Sequence, residues 1–179
     1  MAHIDVFKGW AETIRSDIEP FKALIESKAA AVPAKRLAGA ALLYLVSRMD
    51  LVPDWNEGIG VIDDAMVLRV CARLAQGYEL GALATSAQIG IDRMANEADH
   101  VTEFLGGASY AKLTAHCAKL ADQTVRGRTT TQLYEDESAR KAVYVEIENE
   151  LEKSLPVVLK DPKDAELRLK SYLVHKLSA

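Results

Sequence analysis

The stretch Tyr44–Asp64, YLVSRMDLVPDWNEGIGVIDD, decides how this chain is read. It sets four aspartates (Asp50, Asp54, Asp63 and Asp64), the proline Pro53 and the glycines Gly58 and Gly60 between two apolar segments. Acidic side chains at a joint between apolar surfaces need a physical reason. They either lock a helix–loop–helix corner or hold a ligand. The apolar run on the upstream side, Leu37–Val46, is LAGAALLYLV. It is apolar all round, which marks a central buried helix. Ala38, Gly39, Ala40 and Ala41 within it allow neighbouring backbones to approach closely. Pro33 suits the first turn of this helix, which is expected to run to about Met49. Downstream, the expected helix runs from about Asp64 to Leu80, with Val67, Val70, Cys71, Leu74 and Tyr78 as its buried stripe. Arg69 and Arg73, four residues apart, lie on another face.

Helix chemistry accounts for half of the acidic set. Asp63 suits the N-cap of the downstream helix, with Ile62 and Val67 at the positions of a hydrophobic staple. Asp64 falls in the first turn, where negative charge interacts favourably with the helix dipole. Leu51-Val52-Pro53 forces an extended exit from the upstream helix, because a residue before proline avoids the α region. Leu51, Val52 and Trp55 are expected to cover the end of the core. Asp50 and Asp54 have no such role. Asp50 follows a helix C-terminus, where a negative charge is unfavourable unless Arg48, a turn amide or a cation offsets it. Asp50, Asp54, Asp63 and Asp64 are therefore also a candidate divalent-metal set, with oxygen ligands suited to Mg, Mn or Ca. The spacing is not that of an EF-hand. Structural anchoring is the preferred reading.

This joint resembles the YkvA-like family of bacterial domains of unknown function. The resemblance rests on Tyr44-Leu45-Val46-Ser47, then Asp50-Leu51-Val52-Pro53-Asp54, Gly60 and Asp63-Asp64, within about residues 37–75. It implies a helical hairpin module and no established reaction. Some members are membrane-associated through such a hairpin. Here the polar Arg48, Asn56 and Glu57 stand where the family usually has proline or apolar residues.

The rest of the chain is also helical in spacing. Ile4, Phe7, Trp10, Ile14, Ile18, Phe21 and Ile25 form one stripe at intervals of three and four. Pro20 within it predicts two helical pieces. Further helices are expected over Ser86–Phe104, closed by Gly106-Gly107, over Ser109 to about Thr124, and over Asp136 to about Leu155. The helix over Asp136–Leu155 presents Val143, Ile147, Leu151 and Leu155 on its buried side, with Glu146 elsewhere. A last helix follows Asp161, with Asp161 as cap, Pro162 at the first helical position and Asp164 in the first turn. VRGRTTTQ, at 125–132, reads as an exposed loop. The expectation is one all-α domain spanning 1–179, a bundle of about seven helices around a central buried hairpin at about 34–80.

Composition narrows the function classes. The chain has 179 residues, 49% hydrophobic and 27% charged, with a net charge of −4. A chain of that size buries roughly 70% of its unfolded surface. Its acidic balance, with a pI near 5.6, speaks against nucleic acid as a partner. Cys71 and Cys117 stand alone, with no metal-finger spacing. No basic segment followed by an apolar run opens the sequence, and a cytoplasmic location is expected.

No catalytic set is assembled. Asp99, His100 and Glu103 cluster on one helix, where His100 and Glu103 give half a metal site at best. His116 and Cys117 are adjacent, so on a helix they diverge by about 100° and do not form a base–nucleophile pair. Arg126, Arg128 and Thr129–Thr131 lack the glycine-rich cradle of a phosphate site. His3 and His175 lie near the two ends. The leading expectation is a protein-interaction or structural module acting on a protein partner or as a homodimer. The alternatives are a divalent-metal-dependent hydrolase using the acidic joint, and peripheral membrane association.

Overall fold

The structure is a computed structural model that describes residues 1–47, 50–53 and 59–179. It is all-α: the described residues form nine helices and no strand. These are α1 (His3–Glu12), α2 (Ile14–Glu26), α3 (Val32–Val46), α4 (Ile62–Ala75), α5 (Thr85–Leu105), α6 (Gly107–Leu120), α7 (Thr130–Glu135), α8 (Glu137–Lys153) and α9 (Pro162–Ser178).

All seven residues of the N-terminal stripe are buried. The stripe is broken at Thr13 rather than at Pro20, whose ring lies inside α2. An interior proline forfeits one helical hydrogen bond. Its ring is accommodated by Gly90 of α5, where an added methyl would overlap the Pro20 side chain. A mid-helix glycine costs about 1 kcal/mol in propensity. Here it lets α2 and α5 approach closely.

The central pair is α3 and α4. α3 packs against α2, α4, α6, α7 and α8, and α4 against α1, α3, α5 and α6. Encirclement explains why the side chains of Leu37–Val46 are buried apart from half-buried Leu45. Gly39 admits Thr130 and Leu133 of α7 against the α3 backbone. One cluster of buried apolar side chains takes in residues from every helix.

Several boundaries differ from the sequence reading. α3 ends at Val46, before Met49. α4 ends at Ala75, so Tyr78 lies beyond it and is exposed, and Leu74 is half-buried. The 125–132 segment is not wholly a loop. Arg126 and Gly127 adopt positive φ values of 49° and 77° in a tight turn, with mutual hydrogen bonds between Val125 and Arg128. Thr129 then caps α7 through a reciprocal pair of hydrogen bonds with Gln132. α8 stops at Lys153, and Leu155 is 83% exposed rather than part of the buried side. The cap expected at Asp161 is present, and Asp136 caps α8 in the same way, each accepting two backbone amides. Gly106 ends α5 with φ 80°, a conformation that favours glycine.

Candidate functional site

Tyr44, in the last turn of α3, organises the acidic joint. Its hydroxyl donates to Asp63 Oδ2 at 2.6 Å and accepts from the Leu51 amide at 2.8 Å. The same Asp63 oxygen accepts the Val52 amide at 3.3 Å. Tyr44, Leu51, Val52 and Asp63 are all buried. The chain leaving α3 is thus tied to the first turn of α4 by polar groups inside an apolar setting, where the alternative of unpaired amides is costly. Burial pushes the Tyr44 hydroxyl well above its ordinary pKa, and the nearby charges of Asp63 and Asp64 and its bond to Asp63 add to the rise. The Leu51 amide opposes that rise. Tyr44 is therefore a fixed donor to a carboxylate.

This geometry revises the role assigned to Asp63. α4 starts at Ile62, with Val61 as the flanking residue and no side-chain cap. Asp63 and Asp64 both sit in the first turn, so the staple between Ile62 and Val67 does not form, although both side chains are buried in the core. The charge–dipole role expected of Asp64 stands, and Asp63 shares it.

Carboxylate oxygens of Asp50, Asp63 and Asp64 come within 4.8 Å of one another. Asp50 and Asp64 are half-buried and Asp63 is fully buried. Three of the four predicted acidic residues are therefore brought together. Asp54 lies outside the described residues, as do Arg48, Trp55, Asn56, Glu57 and Gly58.

A second polar centre lies inside the helix bundle and was not foreseen. Arg69 of α4 is fully buried, whereas Arg73, on the same face, is half-buried. Its guanidinium pairs with Asp17 of α2 at 2.9 Å and with Glu97 of α5 at 2.9 Å. It also donates to the Ala65 carbonyl and stacks over Trp10, 4.6 Å from the ring centroid. Arg93 reaches Asp17 at 2.6 Å and Glu97 at 3.0 Å, closing a four-membered ionic ring. Burial lowers the Arg69 pKa, while Asp17 and Glu97 act to restore it. A deeply buried charge is tolerated when paired and hydrogen-bonded in this way. The ring ties α2, α4 and α5 together.

The remaining sequence candidates are placed as follows. Arg126 and Arg128 both face Glu146 of α8. Thr130 is buried and its hydroxyl donates to the Ala121 carbonyl at 2.7 Å. The two arginines tie the turn at 125–128 to α8, and Thr130 ties the start of α7 to the end of α6. Cys71 and Cys117 are buried free thiols that meet between α4 and α6. Hydrogen bonding to Cys71, then burial, raises the Cys117 pKa. His116 is lowered by burial and by Lys119. Asp99 pairs with Arg73 at 2.7 Å. His175 is exposed near the end of α9. His3 lies against α5 beside His100 and Glu103.

Residues 34–69 match the family model described as "Protein of unknown function (DUF1232)". That span holds nearly all of α3, the acidic joint and α4 as far as Arg69, in agreement with the resemblance to a family of unknown function. No curated protein and no solved structure matches the chain.

Proposed function

We propose that this protein is a single all-α domain that works by binding another protein, acting in the cytoplasm, with the α3–α4 hairpin as its rigid nucleus. One observation carries the reading. Among the described residues, five of the large apolar side chains left in solvent fall in one stretch, from α8 to α9: Val145, Leu155, Val158, Leu167 and Val174. Val157 is buried, whereas Leu155 and Val158 on either side of it are exposed. Leu167 and Val174 stand seven residues apart on α9 and so share one helix face, and an apolar helix face left in solvent supports a docking role. The simplest occupant is a second copy of the chain. Sedimentation equilibrium tests this. The wild type is expected to self-associate with rising concentration, and a Leu155→Lys/Leu167→Lys variant to remain monomeric while unfolding at the same temperature. A wild type that stays monomeric throughout, or a variant that associates equally well, overturns the homodimer reading.

The acidic joint supports a second reading, in which Asp50, Asp63 and Asp64 hold Mg, Mn or Ca and serve a hydrolytic reaction. Its support is the convergence of three carboxylates within 4.8 Å. Hard cations take such oxygen donors. The Tyr44 hydroxyl and the Val52 amide already engage one oxygen of Asp63, which favours the anchoring role for that residue. Thermal unfolding with millimolar Mg, Mn or Ca separates the two readings. A shift that disappears in Asp50→Asn/Asp64→Asn supports the metal, and no shift removes it. As for a membrane role, no helix among the described residues is long and apolar enough to cross a bilayer. The apolar surface of α3 is also taken up by its own neighbours. Flotation with anionic vesicles tests peripheral contact.

A further inference from the structure

We infer that His3, His100 and Glu103 form a binding site for a transition-metal ion of the zinc type, separate from the acidic joint. One potential ligand atom from each of the three lies within 4.8 Å of the others. On the sequence, His100 and Glu103 were half a site on one helix. The fold supplies the missing imidazole from the first residue of α1, about a hundred positions away in the chain.

The surroundings hold both imidazoles in place. His3 stacks on Phe7, with ring centroids 6.1 Å apart and planes at 21°, and lies 5.7 Å from Phe104. His100 meets Trp10 edge-on at 6.1 Å. Phe7 and Phe104 themselves pack edge-to-face at 5.0 Å, fixing α1 against α5 at the base of the cluster. The Ile4 amide, next to His3, donates to Glu166 of α9 at 3.1 Å, which pins the start of α1. The two imidazoles thus rest on aromatic rings, which narrows their range of orientations and reduces the ordering entropy lost when an ion binds.

Donor chemistry selects the ion. Two imidazoles and one carboxylate suit zinc and its neighbours, whereas Mg and Ca prefer all-oxygen sets. Metal–ligand bonds of about 2.0–2.2 Å put neighbouring donors roughly 3.3 Å apart in a tetrahedron, so the three groups need to close by about 1.5 Å at most. His100 and Glu103 are exposed and His3 half-buried, which leaves their side chains room for that adjustment. Three protein ligands leave one position open to water.

Calorimetric titration of Zn(II) into the full chain tests the site. One ion per chain is expected, and His3→Ala, His100→Ala and Glu103→Gln each weaken binding by about tenfold or more. The metal-free variants are expected to stay cooperatively folded, and Glu103→Gln, at an exposed position, to keep the wild-type unfolding temperature. Co(II) substitution supplies an independent readout, as visible absorption bands that vanish in His100→Ala. Asp50→Asn/Asp64→Asn leaves Zn(II) binding unchanged, which separates this site from the acidic joint. Absence of binding, equal affinity in His3→Ala and His100→Ala, or displacement of Zn(II) by millimolar Mg overturns the proposal.

Discussion

Replacing Asp17 by alanine is the severest single test of how this bundle is held together. Asp17 is fully buried and accepts from three groups: Arg69 at 2.9 Å, Arg93 at 2.6 Å and the Thr13 hydroxyl at 3.0 Å. Its removal leaves the buried Arg69 guanidinium with Glu97 as its remaining carboxylate partner. Breaking a buried ion pair from one side costs about 3–5 kcal/mol, because an uncompensated charge stays in the core. Native domains are stable by only about 5–15 kcal/mol. For a chain of this length, each kcal/mol lowers the unfolding temperature by roughly 2–4 °C. The Asp17→Ala variant is therefore expected to unfold about 6–20 °C below wild type, with urea denaturation giving the free energy directly. The loss is expected to change little between low and high salt, since buried pairs are poorly screened. Removing both partners, as in Asp17→Leu/Arg69→Met, is expected to cost less than Asp17→Ala alone, since no buried charge is stranded. An Asp17→Ala cost below about 1 kcal/mol would place the pair in the range of solvent-exposed bridges and refute the reasoning.

Substitutions at Gly90, Tyr44 and Glu146 probe the same physics. Gly90→Ala is expected to destabilise by about 1–3 kcal/mol through overlap with Pro20, and Gly90→Ala/Pro20→Ala to recover most of that loss in thermal denaturation. Tyr44→Phe removes one donor to Asp63 and leaves the Leu51 amide without its hydroxyl acceptor, and is expected to cost about 1–3 kcal/mol by urea unfolding. The Tyr44 pKa is raised in the fold, so its contribution is complete below the unfolded value of 10.0 and is lost as pH rises toward the folded value. Stability measured above pH 10 is expected to fall less steeply in Tyr44→Phe than in wild type. Glu146 is lowered by its bond to Arg128, with burial opposing. Its contribution is present above the ordinary glutamate pKa of about 4.3 and is lost as pH falls through the lowered folded value, so Glu146→Gln is expected to flatten the acid limb of the stability profile.

Much of the architecture is legible in one dimension because it depends on local rules. The spacing of the N-terminal stripe, the cap at Asp161, the glycine stop at Gly106 and the all-round apolarity of α3 each rest on residues within a turn or two of one another. The acidic joint is visible for the same reason, as a run of charge, proline and glycine between apolar helices. What escaped depends on distance in sequence. Asp17 carries no local signal in the sequence, and Arg69 reads only as one of two arginines lying off the buried stripe of their helix. They meet because α4 is enclosed by four other helices, so a face that periodicity assigns to solvent is turned into the core. Thr130–Glu135 escaped because its threonines and glutamine favour a loop until Gly39 offers a surface on which α7 can lie.

The sequence by itself determined an all-α chain, its caps and stops, and the presence of a charged corner between two apolar helices. Hydrogen-bonding preferences and apolar periodicity act over a few residues and need no partner from elsewhere. Tertiary structure alone decided which polar groups share a space. It turned Asp63 from a cap toward Tyr44, buried Arg69 between Asp17 and Glu97, and set His3 beside His100 and Glu103. Each of those pairings joins separate helices, and an electrostatic or hydrogen-bonded contact exists only once packing has fixed the distance between them.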